Sequence, residues 1–360
     1  MAWDFVVAKT DLRRSEFRDV EPPPLADGQV RLAIESFALT ANNITYAVFG
    51  EMMKYWDFFP CLDGSGPDGF GRVPVWGHAR VEASAHPDIA AGQRFYGYWP
   101  MSTHLTVQAK PGRNGFTDVS AHRQSLPPVY NQYQAVGAAN ELEAHQALLQ
   151  PLFITGFLID DQFDENDFYG AASVILSSAS SKTAIALAAL LKKRGEVNVV
   201  GLTSPRNKAF VEGLGFYDEV VLYDDLAASP IEGPAAFVDF AGDAAVLGAV
   251  HNRFADELKA SILVGGTHWE APKGTMGGGG ALPGPQPAFF FAPDRVAKRQ
   301  KDWAPGEFEQ RYGAAWAGFV ADAPRWLKVE VGEGREAMQA AYLAQVEGGT
   351  SPDTGVVLRP

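Results

Sequence analysis

Cysteine is almost absent from this 360-residue chain, since Cys61 is the only one. No disulfide can form within the chain, and no site with two cysteine ligands can be built. A lone thiol suits a reducing compartment. Long apolar runs are also missing. The N-terminal stretch MAWDFVVAKTDLRR has no signal-peptide core, and no run of about 18 apolar residues occurs to span a membrane. We therefore expect a soluble cytoplasmic protein. Basic excess is lacking too: 30 Lys and Arg face 43 Asp and Glu, a formal net charge of −13. That argues against nucleic acid or an anionic membrane as partner, because both need a basic face. A small-molecule partner is unaffected, as a local basic cluster can hold an anion inside an acidic protein.

What is present falls into two regions, so two domains are expected at this length. Up to about residue 111, short β-rich stretches such as GQVRLAIESFAL (28–39) are punctuated by glycine and proline, the pattern of a small irregular β domain. The character changes near residue 170. An apolar run at 172–176 suits a buried parallel strand. Small residues follow, then the helix former KTAIALAALLKK (182–193). Strand candidates at 197–202, 219–222, 235–240 and 260–264 alternate with helices, which predicts an α/β doubly wound parallel sheet. Residues 272–287 are rich in glycine and proline and read as a loop.

The strand–loop–helix unit at 172–193 has the outline of a dinucleotide site, where a tight turn and a helix N-terminus face a diphosphate. The fingerprint G-x-x-G-x-x-G falls on Ser178, Ser181 and Ala184, so its glycines are missing. Ser178, Ser180, Ser181 and Thr183 instead offer small side chains and hydroxyls, and Lys182 a charge. A plain helix cap at Ser180 or Ser181 is equally compatible. An acid is lacking as well. The next strand ends Thr203-Ser204-Pro205-Arg206-Asn207-Lys208, where an NAD site would place Asp or Glu to hold the ribose 2′-hydroxyl. Thr203, Ser204, Arg206 and Lys208 suit a 2′-phosphate, so the cofactor expected is NADPH.

Several motifs together resemble the medium-chain dehydrogenase/reductase superfamily, on its zinc-free quinone-oxidoreductase side. They include Gly28–Leu32 with Asn42 and Gly50, Gly77-His78-Ala79, Gly92–Gly97, Leu214–Asp218, Phe237–Gly242, Val264-Gly265-Gly266 and Gly355–Leu358. The resemblance covers nearly the whole chain, and its single motifs are loose. It implies a GroES-like β-rich domain over 1–150, completed by 290–360, and a Rossmann domain over 151–289. It places Lys208 and Tyr223 on the adenosine phosphate side. Thr155 falls beside the nicotinamide, at the start of a helix, and Gly242 and Gly265 fall near the cofactor. It further implies a homodimer.

Zinc-dependent members need a set of ligands that this chain lacks. His78 remains, but Ala79 replaces the usual Glu, and 41–45 contains no cysteine. His78 is expected to be structural, and no metal is expected. A proton donor other than metal-bound water is then required. Related enoyl reductases use a tyrosine after the family glycine, which points here to Tyr55, with Tyr46 as the other candidate. Such a donor acts best with its pKa lowered from about 10. Asn42 and Asn43 are candidates for the nicotinamide carboxamide or a substrate oxygen. The activity implied is hydride transfer from NADPH to an apolar or aromatic carbonyl, enone or quinone. A non-catalytic NADPH-binding protein on the same fold is the alternative.

Overall fold

The computed structural model describes residues 2–61, 69–264 and 282–360. The chain forms two compact units, Met1–Leu148 with Lys328–Pro360, and Leu149–Leu327.

The first unit is built on strands β1 (Trp3–Ala8), β2 (Asp11–Asp19), β3 (Gln29–Leu39), β4 (Phe70–Gly71), β5 (Pro74–Ser84), β6 (Arg94–Pro100), β7 (His104–Gly112), β8 (Gly115–Asp118) and β9 (Gln132–Val136). A short helix, α1 (Ala41–Val48), follows β3. The alternating pattern of β3 buries Val30, Leu32 and Ile34 on one face, as a half-buried strand requires. β3 pairs with β5 on one side and with β7 as well. The order β3-β5-β6-β9-β8-β7 therefore closes on itself as a barrel, which removes the open edges a small sheet would otherwise expose.

The second unit carries the parallel sheet. Helix α2 (Glu143–Glu165) runs into it. Its strands are β10 (Ser173–Leu176), β11 (Asn198–Thr203), β12 (Glu219–Leu222), β13 (Ala235–Asp239), β14 (Leu258–Leu263) and β15 (Ala288–Phe289). They lie in the order β12-β11-β10-β13-β14-β15, all parallel, which is the doubly wound order with its switch point between β10 and β13. β10 and β13 are buried along their whole length. Helix α3 (Lys182–Arg194) follows β10. Ser181 caps its start by accepting the Ala184 N–H, and Gly195 ends it at φ 72°. Helices α4 (Lys208–Leu214) and α5 (Ala244–Phe254) complete the crossovers.

Helices α6 (Ala292–Asp302) and α7 (Glu307–Asp322) also belong to this unit. The chain rejoins the first unit at Lys328, where the sequence reading placed the return at 290. Buried ion pairs account for the difference. On α6, Arg295 and Arg299 donate to Asp161 at 2.8 and 2.7 Å, and on α7 Phe319 stacks on Phe153, the ring centroids 4.9 Å apart. After α7, β16 (Lys328–Glu333), α8 (Gly334–Val346) and β17 (Thr354–Arg359) return to the barrel sheet. β17 pairs antiparallel with β3 and parallel with β16. Among the described residues no helix is long and apolar enough to cross a membrane.

Candidate functional site

In the second unit the loop after β10 occupies the crest of the sheet. Ser177 is buried; its hydroxyl donates to Asp239 Oδ1 at 2.6 Å and accepts the Phe240 N–H at 2.8 Å. Asp239 also accepts from the N–H of Ala241 and of Gly242. Burial raises its pKa, while these donors oppose the shift. The ends of β10 and β13 are thereby tied at the switch point.

Ser178 stands at the first missing glycine and keeps the backbone that glycine would supply, with φ at 45°. For a residue with a Cβ that conformation costs about 1–2 kcal/mol. Its N–H donates to the Tyr223 hydroxyl at 2.9 Å. Ser180 accepts a hydrogen bond from Asn207 Nδ2 at 3.0 Å. Ser181 caps α3, and Lys182 and Thr183, both half-buried, form its first turn. Ala184, at the third glycine position, is fully buried.

The basic loop lies beside this one, because Asn207 belongs to it. Thr203 is buried at the end of β11. Ser204 precedes a single 3-10 turn, Pro205–Asn207. Arg206 is exposed, and Lys208, at the start of α4, lies 3.8 Å from Glu212. Tyr223 follows β12, and Gly242 has φ 69°. Phosphate-loop, basic-loop and Tyr223 candidates are thus brought together. Gly265 lies outside the described residues. Thr155 does not begin a helix as the resemblance implied; it sits half-buried in the middle of α2, whose 23 residues start at Glu143.

In the first unit Tyr46 and Tyr55 are neighbours, their ring centroids 4.7 Å apart. They share a buried aromatic cluster with Phe58, Phe59 and Tyr98, against which Trp76 and Tyr130 pack. Trp76 Nε1–H donates to the Tyr46 hydroxyl at 3.2 Å, and Asn42 bonds the same oxygen. The hydroxyls of Tyr55 and Tyr130 are 3.3 Å apart. Burial raises the pKa of Tyr46 and of Tyr55, where the sequence reading called for a lowered one. Apolar rings replace water around each phenol, so the charged form is disfavoured. Asn43 is committed to structure: it accepts the Thr40 N–H at 2.7 Å and donates to the Pro74 carbonyl at 2.9 Å. His78 is fully buried and bonds Gln146 at 3.2 Å. Burial also lowers its pKa. Among the described residues no group of three His, Cys, Asp or Glu could hold a metal ion.

Sequence reasoning missed Tyr130, Asn207 and Tyr217. Tyr130 lies in a proline-bounded turn with no periodic signal. Tyr217 donates to the Ala179 carbonyl at 2.7 Å; only Gly201, a glycine inside an apolar strand, hinted at a close approach there.

Residues 37–351 match a family described as a protein of unknown function, DUF2855. The chain belongs to this family. No curated protein matches it. Solved structures do. The crystal structure of CurA from Vibrio vulnificus is 14% identical with a TM-score of 0.64, covering 100% of this chain and 98% of that one. A putative NADPH:quinone reductase from Mesorhizobium loti is 12% identical with a TM-score of 0.62, over 100% and 98%. The yhdH oxidoreductase from Salmonella enterica, solved in complex with NADP, is 14% identical with a TM-score of 0.53, over 99% of each chain. These likenesses show the fold, and the family member described here has the GroES-like and Rossmann units that the resemblance implied.

Proposed function

We propose that this chain is an NADPH-dependent oxidoreductase that transfers a hydride to an apolar or aromatic carbonyl, enone or quinone. The observation that carries this reading is the 3.0 Å bond from Asn207 to Ser180. It sets the acid-free loop of Ser204, Arg206 and Lys208 directly beside the glycine-free phosphate loop, where a 2′-phosphate would meet it. The backbone fits a dinucleotide: a positive φ at the first glycine position, and a capped helix N-terminus three residues on. Solved structures of this fold hold NADPH or NADP.

Bound there, the cofactor would supply the hydride. Ser180, Ser181, Lys182 and Thr183 would hold its diphosphate. Ser204, Arg206 and Lys208 would take the 2′-phosphate, with Lys208 and Tyr223 on the adenosine side; Thr155, Gly242, Gly265 and Asn42 are the further contacts. Tyr55 or Tyr46 would donate the proton. Both phenols are neutral at physiological pH and carry a proton to give, although burial makes each a weaker acid than a free tyrosine. The aromatic cluster around them supports an apolar or aromatic substrate. We propose that the reaction needs no zinc, which fits the missing ligand set; about one zinc per chain by elemental analysis after dialysis would contradict it. A homodimer is proposed from the resemblance. β15 supports it as the edge of the parallel sheet, with Phe289 exposed; a clean monomer in light scattering at micromolar concentration would count against it.

The test of function is calorimetric titration with NADPH and NADH, then NADPH consumption over a panel of enones, quinones and aldehydes. NADPH should bind at least about tenfold more tightly, since one charge-assisted bond is worth about 1.5–3 kcal/mol. Equal affinities would refute the NADPH assignment, and no turnover on any class would refute the catalytic one.

A further inference from the structure

Glycine serves a dinucleotide loop in two ways: it accepts a positive φ without strain, and it leaves room for close backbone approach. The loop after β10 has neither glycine, yet keeps the positive φ at Ser178. Three side chains from the two following βα units grip three consecutive loop residues. The Tyr223 hydroxyl accepts the Ser178 N–H at 2.9 Å. The Tyr217 hydroxyl donates to the Ala179 carbonyl at 2.7 Å. Asn207 donates to the Ser180 hydroxyl at 3.0 Å. The room is made on the opposite wall. At Gly201 of β11 an added Cβ would stand 2.9 Å from the Ala179 Cβ and 2.9 Å from the Tyr217 ring, closer than atoms tolerate. Ala179 can also reach the Leu202 carbonyl with its N–H, at 3.0 Å. Gly201 thus lets Ala179 and Tyr217 pack closely against β11, and the strained φ is held by a bond from outside the loop.

We propose that Tyr223, Tyr217 and Asn207 are positioning residues that take the place of the loop's glycines, holding Ser178–Ser180 in the shape that receives the cofactor diphosphate. This rests on the reading of the loop as the NADPH site. Its distinguishing consequence is coupling: if the Tyr223 hydroxyl offsets the strain at Ser178, a glycine there makes the hydroxyl dispensable. Any contact of the Tyr223 ring with the adenosine survives in Tyr223→Phe, so that variant reports the hydroxyl alone, and a hydroxyl that bonded the cofactor directly would show no such dependence.

The experiment compares the full-length wild type, Ser178→Gly, Tyr223→Phe and the double variant. Kd for NADPH is read from nicotinamide fluorescence, and the thermal midpoint of each protein is read without cofactor. Tyr223→Phe alone should weaken NADPH binding about three- to tenfold, the range of one hydrogen bond. The double variant should return to within about twofold of Ser178→Gly, the strained residue being gone. Asn207→Ala should weaken binding by a similar factor. An equal loss from Tyr223→Phe in both backgrounds, or none in either, would overturn the proposal. If no variant binds NADPH, the functional reading fails. The midpoints still decide the brace: Tyr223→Phe must lower the midpoint less in the Ser178→Gly background than in the wild type, and equal lowering refutes it.

Discussion

The hydroxyls of Tyr55 and Tyr130 lie 3.3 Å apart, although 75 residues separate them in the chain. Tyr55 stands in a 3-10 turn after α1, Tyr130 in one before β9. The pair fixes the direction of the Tyr55 phenol, and burial raises the pKa of both groups. A phenol so held stays protonated through the physiological range and presents a hydrogen-bond donor.

If Tyr55 is the proton donor, Tyr55→Phe should keep NADPH affinity and lower kcat by about 10²–10⁴-fold on a confirmed substrate. The raised pKa gives a second expectation: the rate should show no ionisation of this group between about pH 6 and about pH 9. Tyr46→Phe leaves the Trp76 N–H and Asn42 without their shared acceptor, so it should lower stability even if the rate is spared. Near-normal turnover in both variants and in the double variant would remove tyrosine from the mechanism.

Arg206→Ala and Lys208→Ala should each weaken NADPH binding about tenfold or more and leave NADH binding unchanged within about twofold. The comparison separates a 2′-phosphate contact from a loss of fold, which would weaken both. Unchanged NADPH binding in both variants would place the phosphate elsewhere.

His78 gives a pH dependence with a definite sign. Its pKa is lowered from 6.5, first by burial; Glu143 and Glu35 pull upward and Arg94 downward. Below about pH 6.5 the unfolded chain takes a proton that the folded ring refuses, so stability is full above that pH and is lost on acidification. His122, lowered by burial and by Arg123, adds in the same direction. Urea midpoints measured from about pH 7.5 to about pH 5 should fall. His78→Gln should make the fall shallower, whatever it does to stability at neutral pH. An unchanged slope would mean that the ring takes up its proton at the same pH in the folded and the unfolded chain.

Asp161 receives two guanidiniums, and Glu165 receives Arg299 at 2.9 Å, Lys298 at 2.5 Å and Arg295. Asp161→Ala leaves two buried cations short of a partner and should cost about 3–5 kcal/mol in urea unfolding. Glu165 is held down to about 2, led by its bond from Lys298. Its contribution should be complete above about pH 4.5 and lost as the pH falls toward about 2. A loss below about 1 kcal/mol for Asp161→Ala would show that α6 does not depend on this network.

The parallel sheet was legible because β10 and β13 are short, mostly apolar runs and α3 opens on a serine cap. The barrel was legible only as a β-rich stretch: that β3 pairs with both β5 and β7 depends on partners 38 to 79 residues away, which no local period records. The misplaced return at 290 has the same cause, since Arg295 and Arg299 look like an ordinary charged helix face until Asp161 and Glu165 are seen opposite. At the candidate site, residue types at known spacings found the phosphate and basic loops. Asn207, Tyr217 and Tyr130 went unseen because each acts through one long-range hydrogen bond. The absent glycines left a plain helix cap as an equal reading of the loop; that the positive φ is kept at Ser178, and that Gly201 makes room for Ala179 and Tyr217, shows only in three dimensions.

The place of β17 between β16 and β3 sets a timetable for synthesis. Residues 328–360 leave the ribosome after the whole second unit, yet Val356, Val357 and Leu358 pair with Leu39, Ala38 and Phe37. The outer edge of β3 must therefore wait while the second unit is made, on the order of ten seconds or more at about 5–20 residues per second. During that wait the outer edge of β3 has no strand to pair with and invites one from another nascent chain. The parallel sheet, contiguous in sequence, is free to fold first, so the half of the protein that begins the chain is the half completed last.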